Sequence, residues 1–308
     1  MAQLTVNEVL SKVSHQQSLR NAELSRIDLG GAALDRGNFT QAYLRQANLT
    51  GASCEGTDFS KATLVLAVLS GACFDKARLD AAELTRARLE RGIFRELYAP
   101  KAKFHGANLT EADLSFATLT QADLSNAVGH GTVFKWANLV KAKLIDTDFS
   151  KAIFEGANLT RSRWHRSTLR GASFQQADLE SALLEKVNLN GANLTQANLL
   201  NAELESARLD GAVLIGAQAD WATLNAASLI NADWANASMM GVQLEAANLA
   251  GANLAGANLQ QANLENANLT AVDFTAAQVA GALFTDVQGL TENQVMWLRD
   301  NGALNLPG

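Results

Sequence analysis

The sequence predicts an all-β fold: a parallel β-helix of square cross-section with about 13 coils and a short helical cap at each end. Three observations predict it. A five-residue beat runs without a slip from Leu19 to Phe284. Of the 54 positions on its main phase, whose numbers end in 4 or 9, 35 are Leu and 11 are Phe, and the residue two before is Ala in 41 cases. Glycines 31, 51, 71, 131, 171, 191, 211 and 251 are all congruent modulo 20. The two ends lie outside the beat, and each carries a helix-start signature.

The elements follow in chain order. In residues 1–18, Thr5 and Glu8 have the spacing of a capping box, and Leu4 and Val9 that of a hydrophobic staple, so a capping helix is expected. Residues 19–284 form the repeat. Ala and Leu two apart share one face of an extended segment. Each unit is therefore a short strand with two inward side chains, followed by a bend. One unit cannot bury its apolar face alone, whereas stacked coils can, through parallel ladders about 4.8 Å apart. A large and a small inward residue together fill a narrow interior without voids. The glycine column sets four units to a coil and puts glycine on one corner, where a type II-like turn calls for positive φ. Asn231 shares that column and also tolerates positive φ. Fifty-four units make 13.5 coils, a stack of roughly 65 Å. In residues 285–308, Thr291 and Gln294 repeat the box, Leu290 and Val295 repeat the staple, and Gly302 ends the helix. Such caps cover edges that would otherwise invite polymerisation.

The unit is plainest in Ala-Asn-Leu-Thr-Gly at 47–51, Gly-Ala-Asn-Leu-Thr at 156–160 and the run Ala247 to Thr270, all close to Ala-(Asn/Asp)-Leu-x-x. Over about 265 residues the chain resembles the pentapeptide-repeat family. The resemblance implies a right-handed quadrilateral β-helix. It carries over no catalytic residue, because the motif is structural. The N-terminal helix leading into the repeat resembles cyanobacterial members. In gyrase-directed members the C-terminal helix region dimerises, which implies either a monomer or a homodimer through 286–308. Val295, Met296, Trp297 and Leu298 exceed what one narrow lid needs and are the candidate dimer contacts.

Composition narrows the rest. The opening Met-Ala-Gln-Leu-Thr-Val-Asn-Glu has neither a basic nor an apolar leader segment, and no apolar run approaches the ~18 residues of a membrane span. A cytoplasmic protein is expected, with no membrane contact. Cys54 falls on the inward phase and Cys73 on the outward one, so they point apart and remain thiols. The net charge of −6 divides unevenly: residues 1–170 carry 22 Lys/Arg and 17 Asp/Glu, residues 171–308 carry 3 and 14.

No nucleophile elbow, phosphate loop, dinucleotide fingerprint or zinc motif occurs. His105 and His165 share a column three coils apart, roughly 14 Å, too far to hold one metal. No cofactor is implied, and an enzyme is not expected of a flat wall. Departures from the repeat mark the candidate contact surface instead, and they concentrate in 91–170. The glycine corner lapses at Arg91, Glu111 and Lys151, and Ala99 and Gly129 replace Leu. Pro100 removes a donor, so distortion is expected at 98–101. Phe116 and Trp136, one coil apart, should stack, with Ile93, Val133 and Ile153 on the same face and Tyr98 nearby. A contiguous apolar patch marks an interface. Arg161, Arg163, Arg166 and Arg170 form a basic belt with Lys101, Lys141 and Lys143, of which Arg163 and Arg166 are the candidate partner contacts. The belt lacks the charge and the groove that nucleic acid needs. A smaller cluster, Leu200, Trp221 and Met240, lies near the break at Ala219. The expected function is a rigid protein-binding scaffold for a protein partner. The alternative is a DNA mimic that modulates a type II topoisomerase.

Overall fold

The computed structural model describes residues 3–307. The chain divides into two compact units, the first ending at Asn158 and the second beginning at Leu159. In the first unit, helix α1 (Val6–Ser14) is followed by coils. In the second, coils are followed by helix α2 (Glu292–Asp300). Within each unit, residue i pairs in parallel with residue i+20, as in Asn48 with Val68 and Asn193 with Val213. The coil is therefore 20 residues, four repeats to a turn.

Both capping boxes form. Thr5 accepts from the Glu8 amide while the Glu8 carboxylate accepts from the Thr5 amide, and Thr291 and Gln294 do the same for α2. Val9 is fully buried and Val13 nearly so, which seats α1 on its coil. Leu298 is fully buried and seats α2. Beyond α2 the chain rejoins the ladder, where the Phe284 amide donates to Leu304 at 3.0 Å.

The five backbone donors of one repeat show why the motif reads as it does. Ala47 N–H donates to Leu44 O at 3.0 Å and closes a turn. Asn48 N–H reaches back a coil to Ile27 O at 2.9 Å, Leu49 N–H forward to Val68 O at 2.7 Å, and Gly51 N–H forward to Ser70 O at 3.0 Å. The Thr50 amide has no backbone partner and donates instead to the Asn48 side-chain oxygen at 3.0 Å. Asn or Asp at the middle of the unit thus satisfies the one donor that the ladder leaves over. The same bond recurs at Asp113 with Ser115, Asn193 with Thr195 and Asp273 with Thr275.

This geometry corrects the expectation of distortion at Pro100. Its neighbours keep their bonds: Ala99 N–H to Thr118 O at 2.8 Å and Lys101 N–H to Thr120 O at 2.9 Å, while Pro100 O accepts from Ala81. Proline occupies the one phase whose N–H the ladder does not use. It is also the second residue of a turn closed by Ala102 N–H on Ala99 O, followed by Lys101 at φ 58°. Proline is favoured there in a type II turn.

The glycine column also needs correction. Every fifth residue from Asn21 to Asp286 has positive φ, on all four corners, whether Gly, Asn, Arg, Leu or Trp stands there. The modulo-20 glycines do not mark a single corner that needs the left-handed conformation. They lower its backbone cost where they occur, and the ladder enforces it elsewhere.

The interior holds the small and large residues of each strand, almost all fully buried. Departures from Ala and Leu compensate locally. Leu97 and Ala99 exchange sizes within one repeat, and both are fully buried. At Gly37 and Gly92 a Cβ would run into the ring of Phe39 or Phe94 of the same strand, so glycine makes room for Phe. Gly129 makes room for Phe149 of the next coil. Phe39 and Phe59 stack at 4.9 Å, as do Phe134 and Phe154. Cys54 lies in this interior, and burial raises its pKa well above that of an ordinary thiol. Both cysteines are free.

Candidate protein-interaction surface

The wall is built from three outward positions per repeat, one on each face and two at each corner, where the residue just before the positive-φ one, such as His130 or Lys135, also points out. The middle residue of each strand stands on a face, and the positive-φ residue stands on a corner. In the first unit, Cys73, Ile93, Asp113, Val133 and Ile153 pair successively along one face. Ile93 is 36% exposed, while Val133 and Ile153 are half-buried. The expected contiguous apolar patch is interrupted, because Asp113 stands between Ile93 and Val133. Its Oδ2 accepts from Arg95 Nε at 2.6 Å, and its Oδ1 accepts the Ser115 amide and hydroxyl. Burial by itself would raise the Asp113 pKa. The hydrogen bonds from Ser115 and Arg95, with the guanidinium charge, outweigh that and hold the carboxyl below its usual range.

Phe116 and Trp136 are corner residues, at φ 61° and 57°, and are 59% and 56% exposed. No ring contact joins them among the described residues, contrary to the expected stack. Trp136 leans the other way, onto Gly156 one coil further on, where any Cβ would overlap its ring. Tyr98, 40% exposed, is partly engaged: the Arg78 guanidinium carbon sits 4.7 Å from its ring centroid. Lys135 pairs with Glu155 at 2.7 Å, and His130 approaches Asp148 at 3.6 Å.

In the second unit, Arg163 and Arg166 are exposed. Arg163 lines a notch of about 120 Å³ with His165, Leu183 and Glu185, and His165 Nδ1 lies 3.4 Å from Glu185 Oε2. Trp221 is 48% exposed and lies over Gly241 as Trp136 lies over Gly156. Leu200 and Met240 are half-buried. At the C-terminal end, Met296 is 54% exposed and Val295 and Trp297 are half-buried, but Leu298 is not a surface residue. As the inward side of α2, Leu298 belongs to the lid and offers nothing to a second chain.

Recesses on both units are open notches rather than enclosed cavities. One of about 360 Å³ lies between the last coil and α2, lined by Val272, Phe274, Gln294 and Trp297. Another of similar size lies among Ser70, Gly71, Arg88, Glu90 and Arg91. Neither Tyr98 nor His130 lines them. Among the described residues no cluster of His, Cys, Asp or Glu has the arrangement of a metal site, and no helix is long and apolar enough to cross a membrane.

The chain matches the family described as pentapeptide repeats over residues 18–51, 27–64, 38–74, 82–126, 107–146, 119–156, 130–163, 147–185, 188–225, 220–251 and 247–286. It belongs to the pentapeptide-repeat family. The coils are accordingly those of a right-handed quadrilateral β-helix. Among solved structures, HetL, a pentapeptide-repeat protein from the cyanobacterium Nostoc sp. strain PCC 7120 involved in heterocyst differentiation regulation, is 27% identical. That match covers 92% of this chain and 98% of HetL, with a TM-score of 0.32. QnrB1, a plasmid-mediated fluoroquinolone resistance protein, is 18% identical over 72% of this chain and 94% of its own, with a TM-score of 0.30. A pentapeptide-repeat protein of the Arabidopsis thaliana thylakoid lumen is 28% identical over 44% of this chain and 80% of its own, with a TM-score of 0.31. No curated protein matches the chain. Membership of the family describes a repeat scaffold and assigns no partner.

Proposed function

We propose that this pentapeptide-repeat protein is a non-catalytic, rigid scaffold that binds a protein partner in the cytoplasm, with contact on residues 91–170. The observation that carries this reading is the pair Phe116 and Trp136, each more than half exposed on one corner of the first unit. Large aromatics left at that exposure add nothing to the buried core, and exposed aromatics are common interface anchors. Ile93, Tyr98, Val133 and Ile153 extend the contact on the first unit. Arg163 and Arg166 on the second unit are separate contacts for carboxylates of a partner. Open notches in place of a closed pocket support a binding role over catalysis.

The test is capture from native lysate with wild type and with the Phe116→Ser/Trp136→Ser variant, analysed by mass spectrometry. Neither change touches the buried core, so circular dichroism stays unchanged. A partner held by wild type and lost by the variant supports the reading, and a partner held equally by both sinks it.

A DNA-mimicking contact with a type II topoisomerase is the second reading. It is favoured by the stretch 209–298, which holds eight Asp/Glu and no Lys or Arg. Supercoiling by purified gyrase, unaffected at micromolar protein, removes it. Self-association through Met296 and Trp297 is a further proposal for 286–308, and analytical ultracentrifugation of Met296→Asp against wild type checks it.

A further inference from the structure

Trp221 and Tyr98 are both exposed aromatics of the wall, yet their surroundings differ. Tyr98 has a cation of its own in Arg78. Trp221 has none. From Leu209 to Leu298 the chain holds no Lys, Arg or His, and Arg208, the last base before that stretch, lies 3.7 Å from Asp210.

The Trp221 ring is also held in place. It lies across Gly241 one coil on, and any side chain at 241 would occupy the position of its Cε3 and Cζ3 atoms. The Trp221 amide is bound to Met240 O at 2.9 Å. Trp221 is thus packed against the wall at Gly241 and remains 48% exposed. Two carboxylates neighbour Trp221 in the chain and in the ladder. Asp220 precedes it in sequence, with Oδ1 oriented by Ser238 Oγ at 2.6 Å and the Met240 amide at 2.8 Å. Glu203, exposed, pairs in the ladder with Thr223, two residues from Trp221. A flat indole among acids, with no internal base, is complementary to a planar cation. Arginine suits it better than lysine, because guanidinium is weakly hydrated, stacks on aromatic faces and bonds carboxylates bidentately.

We propose that this face of the second unit binds an arginine-bearing basic segment of a partner protein, with one guanidinium stacked on Trp221 and paired to Asp220 and Glu203. The acidic surroundings steer the segment in, and Trp221 fixes where its side chain rests. This site is independent of the contact proposed around Phe116 and Trp136.

The test titrates the full chain with a fluorescent peptide of arginine-glycine-glycine repeats, read by anisotropy, while NMR follows the tryptophan indole resonances. The Trp221 indole signal moves on addition of peptide. Trp221→Ala weakens binding by about tenfold, Trp221→Phe by less, and Glu203→Gln lowers both affinity and salt dependence. A lysine version of the peptide binds more weakly. Circular dichroism verifies that each variant is folded. Absence of binding by wild type overturns the proposal. Equal binding by wild type and Trp221→Ala also overturns it, reducing the effect to net charge. Loss of the peptide in Phe116→Ser/Trp136→Ser with retention in Trp221→Ala assigns the cation site to the first unit and overturns it too.

Discussion

The indole N–H of Trp164 donates to the Ser162 hydroxyl at 2.7 Å, two residues back on the same strand. Trp234 occupies the same phase, equally buried, but Ala232 stands where the hydroxyl would be, and its indole N–H has no partner among the described residues. A buried donor left unpaired costs about 1–3 kcal/mol. Ala232→Ser is therefore expected to stabilise the protein by about 1 kcal/mol, and Ser162→Ala to destabilise it by about 1–3 kcal/mol. Chemical denaturation of the two variants checks both signs, and destabilisation by Ala232→Ser refutes the pairing.

Gly129 and Phe149 test the fit of the interior between coils. A methyl at 129 meets the Phe149 ring and the Thr132 hydroxyl, and Thr132 is fixed by its bond to Leu109 O at 2.9 Å. Gly129→Ala is expected to cost about 1–3 kcal/mol by overpacking. Adding Phe149→Leu relieves the clash, so the two changes are non-additive in a double-mutant cycle.

Proline tolerance should follow the phase of the ladder. Thr118 N–H donates to Leu97 O at 2.8 Å, and Thr118→Pro is expected to cost about 3 kcal/mol or more. Thr120 lies one coil beyond Pro100 in the same column, at the phase whose amide the ladder does not use. Thr120→Pro is expected to change stability by less than about 1 kcal/mol. Thermal unfolding of the pair distinguishes them, and equal losses would show that the ladder is not what sets the cost.

Acid should weaken the first unit through Asp113 and Glu90. Burial raises the Glu90 pKa, but hydrogen bonds from the Ser70 hydroxyl and Arg88 more than offset it, so both carboxyls titrate below their usual range. A pKa depressed in the folded state contributes stability above the unfolded value, about 4, and that contribution is lost as pH falls through the folded value. Stability measured by urea unfolding should hold near neutrality and drop below about pH 4. Asp113→Asn should lower stability at neutral pH and flatten the acid slope, and an unchanged slope would remove Asp113 from this role.

The fold was legible because its signal repeats. Leu and Ala return every five residues, and the glycine column gives the coil length without reference to any contact. The capping boxes at Thr5 and Thr291 were equally plain, since each rests on residues three apart. The candidate site was legible only in part. Exposure of Phe116 and Trp136 followed from their phase, but the direction in which Trp136 leans depends on the space over Gly156, a residue 20 positions away. The break in the apolar face had a sequence signal, since Asp113 lies in the same column as Ile93 and Val133, but its pairing with Arg95 is a matter of side-chain geometry.

By itself the sequence determined the period, the inward and outward faces, the coil length and the helical caps, because each depends only on spacing along the chain. Tertiary structure alone decided which donors the ladder uses, and therefore why Pro100 is harmless and why Asn or Asp fills the middle of the strand. It also decided that every corner takes positive φ, that Leu298 is core rather than contact, and that Trp221 lies on Gly241 while staying about half exposed. Those outcomes depend on what the next coil places opposite each residue, which spacing along a single repeat does not encode.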